Sequence, residues 1–143
     1  VYGGGSFSKL KIPATVINNV KIIGYVEDIW KELHDKSLVV IPLRIGSGIR
    51  VKILEMLAAG QPILTTSVGK EGIPVTDGVQ LHVADSEAEM FAKTINFFQN
   101  KYENEKISDS GREFIRENYT WEIVAEKFEK FFNTLLNLSE KKR

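Results

Sequence analysis

Between Arg44 and Glu55 the chain gathers three cations, two glycines and one carboxylate. Arg44, Arg50 and Lys52 have no acid beside them in sequence, since none occurs from residue 38 to residue 54. Gly46 and Gly48 let the backbone approach a ligand where a Cβ would collide. The helix expected from about residue 50 to residue 59 aims its unpaired N–H groups and positive dipole end back at this loop. Glycines, cations and a helix N-terminus together suit an anion, and a phosphate fits best. Glu55, in the second helical turn, has two readings. It is a surface acid stabilised by the helix dipole, or an acceptor for the two vicinal hydroxyls of a ribose whose phosphate the same helix binds. Spacing alone leaves both open.

These groups need a frame, and the flanking residues supply one. LVVIPL (38–43) is an apolar run of strand length, with Pro42 ending the ladder. Gly60 falls where a helix C-cap belongs, and Pro62 opens a second buried strand, PILTT. Strand, Gly-rich loop, helix and strand follow one another directly. Before this segment, VYGGG (1–5) reads as a strand stub and Gly turn, and VKIIGYV (20–26) as a strand. A helix follows near 29–36, with Asp28 as its N-cap. After it, residues 67–77 form a loop long and Gly-rich enough to line a site. VQLHV (79–83) is the last strand, and Ser86 with Glu89 spells a capping box. Helices at about 105–118 and 121–138 close the chain, the second with Thr120 as N-cap. Strands alternating with helices argue an α/β fold around a parallel sheet.

With those residues in place, the segment resembles the nucleotide-binding motif of glycosyltransferases group 1, a large retaining family with the two-domain GT-B fold. That motif is two glutamates separated by seven residues in a strand, Pro, loop, helix, Gly-x-Pro, strand frame. Pro42, Gly48, Glu55, Met56, Ala58, Gly60, Pro62 and Thr65 fall on the frame. NNVKIIGYVEDI (18–29) and ENYTWEIVAEKF (117–128) match further family segments, so the resemblance spans essentially the whole chain. One departure stands out: the first glutamate, which commonly contacts the transferred sugar, is replaced by Ser47. The PLRxGSGxRxK version resembles one branch of the family, in which Arg50 and Lys52 carry more of the diphosphate charge.

The resemblance implies a Rossmann-like parallel sheet flanked by helices, the C-terminal half of a GT-B fold, with residues 1–143 as the sugar-nucleotide-binding domain. It implies transfer of a hexose-type sugar from a nucleotide-diphosphate-sugar donor to an acceptor hydroxyl, with retention and no required metal or other cofactor. Arg50 and Lys52 would be the catalytic cations that stabilise the departing diphosphate. Glu55 would hold the ribose, and Gly46, Ser47, Gly48 and Ile49 would line the diphosphate. Tyr25 and Val26, at the carboxyl end of a strand, would read the nucleobase through their backbone. The acceptor, a glycan or a lipid-linked molecule in polysaccharide biosynthesis, would sit on an N-terminal domain of the same enzyme. Cytoplasmic placement follows, peripheral at the membrane through that domain. Two rivals stay open: a stand-alone nucleotide- or phosphate-binding module without transfer, and a GT-B-like sugar-nucleotide epimerase.

Composition narrows the field. The chain has 143 residues, 43% hydrophobic and 27% charged, which is ordinary for one globular domain. Nineteen cations balance nineteen acids, so no global field draws in nucleic acid. Cysteine is absent, which excludes disulfides and thiolate metal sites. His34 and His82 are the only histidines, and neither has a sequence neighbour suited to sharing a metal. Gly3, Gly4 and Gly5 could cradle phosphate but more often turn a chain. Lys70 and Glu71 read as a solvated loop pair, and Trp121 with Phe128, Phe131, Phe132 and Leu135 as a packing face of a helix. The tail Lys141, Lys142 and Arg143 reads as solvated.

The chain starts at Val1 rather than Met, so a fragment is expected. In the doubly wound order 3-2-1-4-5-6, VYGGG would be strand two, VKIIGYV strand three and LVVIPL strand four. The central first strand would then precede Val1. Its absence predicts weak support for residues 1–26, no turnover by the isolated chain, and exposure of Phe128, Phe132 and Leu135.

Overall fold

The computed structural model describes residues 1–2 and 11–140, the side chains of 138–140 excepted. Gly3, Gly4 and Gly5 and the tail at 141–143 therefore lie outside the described residues. The chain divides into two compact units, Val1–Lys36 and Ser37–Arg143.

In the first unit a short 3-10 turn, Ile17–Asn19, precedes helix α1, Ile29–Leu33. Asp28 caps α1 as expected, its carboxylate accepting from the N–H groups of Trp30 (3.1 Å) and Lys31 (3.4 Å). The expected strand at 20–26 is reduced to one parallel bridge between Tyr2 and Gly24. Ile22 and Ile23 stay largely exposed, and Leu33 is the one fully buried hydrophobic residue described in this unit. A strand needs a laddered neighbour and a covered face, and a single bridge gives neither.

The second unit holds the sheet. Strands β1 (Val39–Ile41), β2 (Ile63–Thr65) and β3 (His82–Val83) run parallel in the order β1-β2-β3. Val39 faces Ile63, Ile41 faces Thr65, and Thr65 in turn faces Val83. This sequential order agrees with the 4-5-6 run of a doubly wound sheet. Helices α2 (Val51–Ala58), α3 (Glu87–Gln99), α4 (Lys101–Asn118) and α5 (Trp121–Glu140) complete the unit. Helix α4 begins about four residues earlier than its sequence suggests.

Helix α2 is amphipathic. Ile53, Met56 and Leu57 are buried while Lys52 and Glu55 face outward, the division a 3.6-residue period requires. Its end is a Schellman turn: Gly60 N–H reaches the Leu57 carbonyl at 2.9 Å and Gln61 N–H the Met56 carbonyl at 2.9 Å. Gly60 takes φ +70°, the left-handed value that turn demands. Against α2 lies α4, where Gly111 permits close approach: a Cβ there would sit 2.8 Å from Leu57 Cδ2 and 2.9 Å from the Gln80 carbonyl oxygen. Ile53, Leu57, Ile63, Leu64 and Leu81, each at most 1% exposed, form the centre of the core.

Capping is as read from sequence for α3, where Ser86 and Glu89 make the reciprocal box, and Thr120 Oγ1 accepts from Ile123 N–H at 3.4 Å before α5. The packing expected of α5 is not found. Trp121, Phe128, Phe131, Phe132 and Leu135 are all exposed, with Phe128 and Phe132 stacked on each other at 6.2 Å. The described residues provide no layer to cover that face.

Candidate functional site

Two loops leave the carboxyl ends of neighbouring parallel strands, the place where open α/β sheets bind ligands. The first, residues 42–50, links β1 to α2. None of its N–H groups from Ile45 to Arg50, nor that of Lys52, meets an acceptor among the described residues. Val51 N–H turns back to the Ile49 carbonyl at 3.1 Å, and Ile53 N–H to that of Arg50 at 2.8 Å. Gly48 holds φ +78°, where a side chain would strain the backbone. A cradle of unpaired donors therefore opens at the positive end of α2.

The cations around it are not equivalent. Arg50 folds beneath its own loop, Nη1 donating to the carbonyls of Ser47 (2.5 Å) and Gly48 (3.2 Å). A Cβ at Gly46 would collide with this guanidinium. Its Nε and Nη2 are buried without an acceptor among the described residues, and such donors are costly unless a ligand meets them. Lys52 stands exposed with no partner among the described residues. Arg44 reaches across to α3, its Nη2 lying 3.4 Å from Glu87 Oε1. The acid missing from the local sequence thus comes from 43 residues away, which spacing could not reveal. Glu55 projects from the outer face of α2, exposed and unpartnered among the described residues, one turn beyond Lys52.

The second loop, residues 66–77, leaves β2. Buried Thr65 and Thr66 bind it to the first: Thr65 Oγ1 donates to the Ile41 carbonyl at 2.9 Å, and Thr66 Oγ1 donates to that of Leu43. Thr66 Oγ1 also accepts from Gly69 N–H at 2.9 Å. A buried Thr pair at a strand's end is a signal the sequence offered, since buried hydroxyls must find partners. Asp85 accepts from both the hydroxyl and the N–H of Ser67, each at 2.7 Å. Those bonds hold its carboxyl below the usual aspartate range. Lys70 is not the solvated half of a pair, because its ammonium donates to the Val75 carbonyl at 3.0 Å. At the loop's tip a Cβ on Gly72 would lie 3.1 Å from Ile49 Cγ1, so the two loops touch there.

Gly46, Ser47, Gly48, Ile49, Arg50, Lys52 and Glu55 are therefore assembled on one loop and helix start. Tyr25, exposed, and Val26 belong to the first unit, just past the Tyr2–Gly24 bridge. His82 is occupied in the second unit: its Nε2 lies 3.0 Å from Asn104 Oδ1. The Asn104 amide nitrogen already donates to Phe97 and Asn100 carbonyls, so the imidazole is the donor. Among the described residues no group of three or more His, Asp or Glu side chains is placed to hold a metal ion. A cleft of about 510 Å³ floored by Phe97 and Phe98 is also lined by Ser37 and Pro62, which precede β1 and β2. It lies at the amino ends of the strands, away from the cradle.

The sequence model of glycosyl transferases group 1 matches residues 1–100. The chain belongs to that family. A protein of the Klebsiella pneumoniae cps region (44.6 kDa, uncharacterised) is 33% identical over 89 residues, covering 61% of this chain and 23% of its own length. The lipopolysaccharide 1,2-N-acetylglucosaminetransferase of Salmonella typhimurium is 26% identical over 98 residues, covering 67% and 26%. This family member thus spans about a quarter of the length of either relative. Among solved structures, Anabaena HepE (Alr3699) in complex with UDP superposes with a TM-score of 0.69 at 18% identity, covering 82% of this chain and 33% of HepE. A glycosyltransferase of Rickettsia africae gives 0.69 at 17%, covering 85% and 33%. The α/β architecture of this group 1 chain is that of GT-B glycosyltransferases. No described helix is long and apolar enough to cross a membrane.

Proposed function

We propose that this chain is the sugar-nucleotide-binding domain of a retaining glycosyltransferase, with a nucleoside-diphosphate hexose as donor. The observation that carries the reading is the loop at 45–50: a run of unpaired N–H groups at the start of α2, beside exposed Lys52 and outward Glu55. Diphosphate oxygens would accept from those N–H groups and from Lys52. Arg50 braces the loop carbonyls, and its buried Nε and Nη2 would be satisfied by a phosphate drawn into the cradle. Charge on the departing diphosphate grows as the glycosidic bond breaks, and donors already fixed in place stabilise it without reorganisation. Glu55 would accept from the two ribose hydroxyls. The UDP bound to HepE supports a nucleoside diphosphate in this role, and the Salmonella lipopolysaccharide 1,2-N-acetylglucosaminetransferase supports a lipopolysaccharide as acceptor. The acceptor would bind a second domain of the full-length enzyme.

The test is replacement of Arg50 and Lys52 together by Ala in full-length protein. Calorimetry should show nucleoside diphosphates weakened by about 100-fold or more and nucleosides hardly affected. The wild-type preference for the diphosphate should shrink as salt rises. Equal losses for nucleoside and diphosphate would mean the loop had collapsed and would remove the support for this reading.

A further inference from the structure

Resting on the reading of residues 44–55 as a diphosphate and ribose site, we propose that Glu71 is the carboxylate that holds hydroxyls of the transferred sugar. A sugar presents a ring of hydroxyl donors, and a carboxylate is their strongest acceptor. The cradle itself supplies none, because position 47 is serine and no acid occurs from residue 38 to residue 54. The acids brought to the carboxyl ends of the strands by other elements are nearly all engaged. Glu87 faces Arg44. Asp85 is taken up by the hydroxyl and N–H of Ser67. Glu89 accepts from the N–H groups of Asp85 and Ser86 in the capping box. Asp77 accepts from Val83 N–H at 2.8 Å and from the Lys93 ammonium at 2.5 Å. Glu55 is assigned to the ribose.

Glu71 is left, exposed and with no side-chain partner among the described residues. Its neighbour Gly72 lies close to Ile49, which stands between the cradle residues Gly48 and Arg50: a Cβ on Gly72 would come within 3.1 Å of Ile49 Cγ1. The loop that carries it is firmly built. Lys70 N–H reaches the Thr66 carbonyl at 3.0 Å, Ile73 N–H reaches that of Lys70 at 2.9 Å, and Ile73 and Val75 are each 3% exposed. The nearest cation in sequence, Lys70, is turned away onto the Val75 carbonyl and leaves Glu71 uncompensated. A carboxylate carried by a well-built loop, next in sequence to the glycine that approaches Ile49, supplies the acceptor that sugar recognition requires.

Calorimetry on the full-length protein with UDP, GDP and ADP and with their hexose conjugates tests this, comparing wild type with Glu71→Ala. For whichever nucleotide binds, Glu71→Ala should weaken the sugar conjugate by about 10- to 100-fold and leave the free diphosphate within about twofold. Conjugate binding that is unchanged, or conjugate and diphosphate weakened alike, would overturn the assignment of Glu71 while leaving the cradle intact. A wild-type protein that binds none of the three diphosphates would overturn the cradle reading, and this proposal with it.

Discussion

Two stretches of this chain carry nearly the same apolar, β-branched message, yet only one becomes a strand. LVVIPL yields β1, paired in parallel with β2 and with Val39 buried at 9% exposure. VKIIGYV yields one bridge, with Ile22 and Ile23 at 43% and 44% exposure. The runs differ less than their surroundings do. β1 lies in a unit whose helices bury Ile53, Met56 and Leu57, whereas the first unit buries Leu33 alone among its described hydrophobic residues. Strand preference describes how a residue fits a half-buried pleated surface, and without that surface it has little to act on.

The contrast is broken most forcefully at the core. Leu57→Ala, at a residue 1% exposed, should cost about 3 kcal/mol, whereas Ile22→Ala should cost under about 1 kcal/mol. Chemical unfolding of both variants measures this. Similar costs would mean the two units are equally well packed.

Gly111→Ala comes next. Helix propensity alone favours alanine by about 1 kcal/mol, but the new methyl would press on Leu57 Cδ2 and on the immobile Gln80 carbonyl. Overpacking of this kind costs about 1–3 kcal/mol, so a net loss of stability is expected. Combined with Leu57→Ala, which vacates the space, the two losses should fall short of their sum. Strict additivity would show that the helices do not meet there.

The parts legible in sequence share a physical character. The motif helix, its Gly60 turn, the Asp28 cap and the Ser86–Glu89 box are all set by residues within a few positions of one another. The parts that were not legible depend on distance. Arg44 finds Glu87 and His82 finds Asn104 through the fold, and Arg50 tucks under its loop by a choice of rotamer that spacing does not encode. Gly111 is a readable sign of the α2–α4 contact, since glycine inside a helical pattern often marks close approach. The exposed aromatic face of α5 has helical periodicity, which reports one-sidedness and not whether anything covers that side.

A smaller effect separates the units by pH. Asp28 is held below the usual range first by the Lys31 ammonium and then by the Lys31 and Trp30 N–H groups. Asp85 is held there by the Ser67 hydroxyl and N–H. Both values are depressed, so both contributions are complete above about pH 4 and are lost as pH falls through the lower folded values. Protection of the Trp30 and Lys31 amides should fade at low pH before that of the Ser67 amide. Helix α1 has five residues and one buried side chain, while residues 66–77 rest on buried Ile73 and Val75. Amide exchange between about pH 6 and 3 reads this order, and simultaneous loss would deny the difference.

Glu55, exposed on the outer face of α2, is the proposed ribose acceptor beside the proposed diphosphate cradle. Calorimetry on full-length protein would compare a ribonucleoside diphosphate with its 2′,3′-dideoxy counterpart, in wild type and in Glu55→Ala. Wild type should favour the ribonucleotide, and Glu55→Ala should lose about 1.5–3 kcal/mol for it with almost no change for the dideoxynucleotide. Equal losses for both ligands, or no loss for either, would contradict the account.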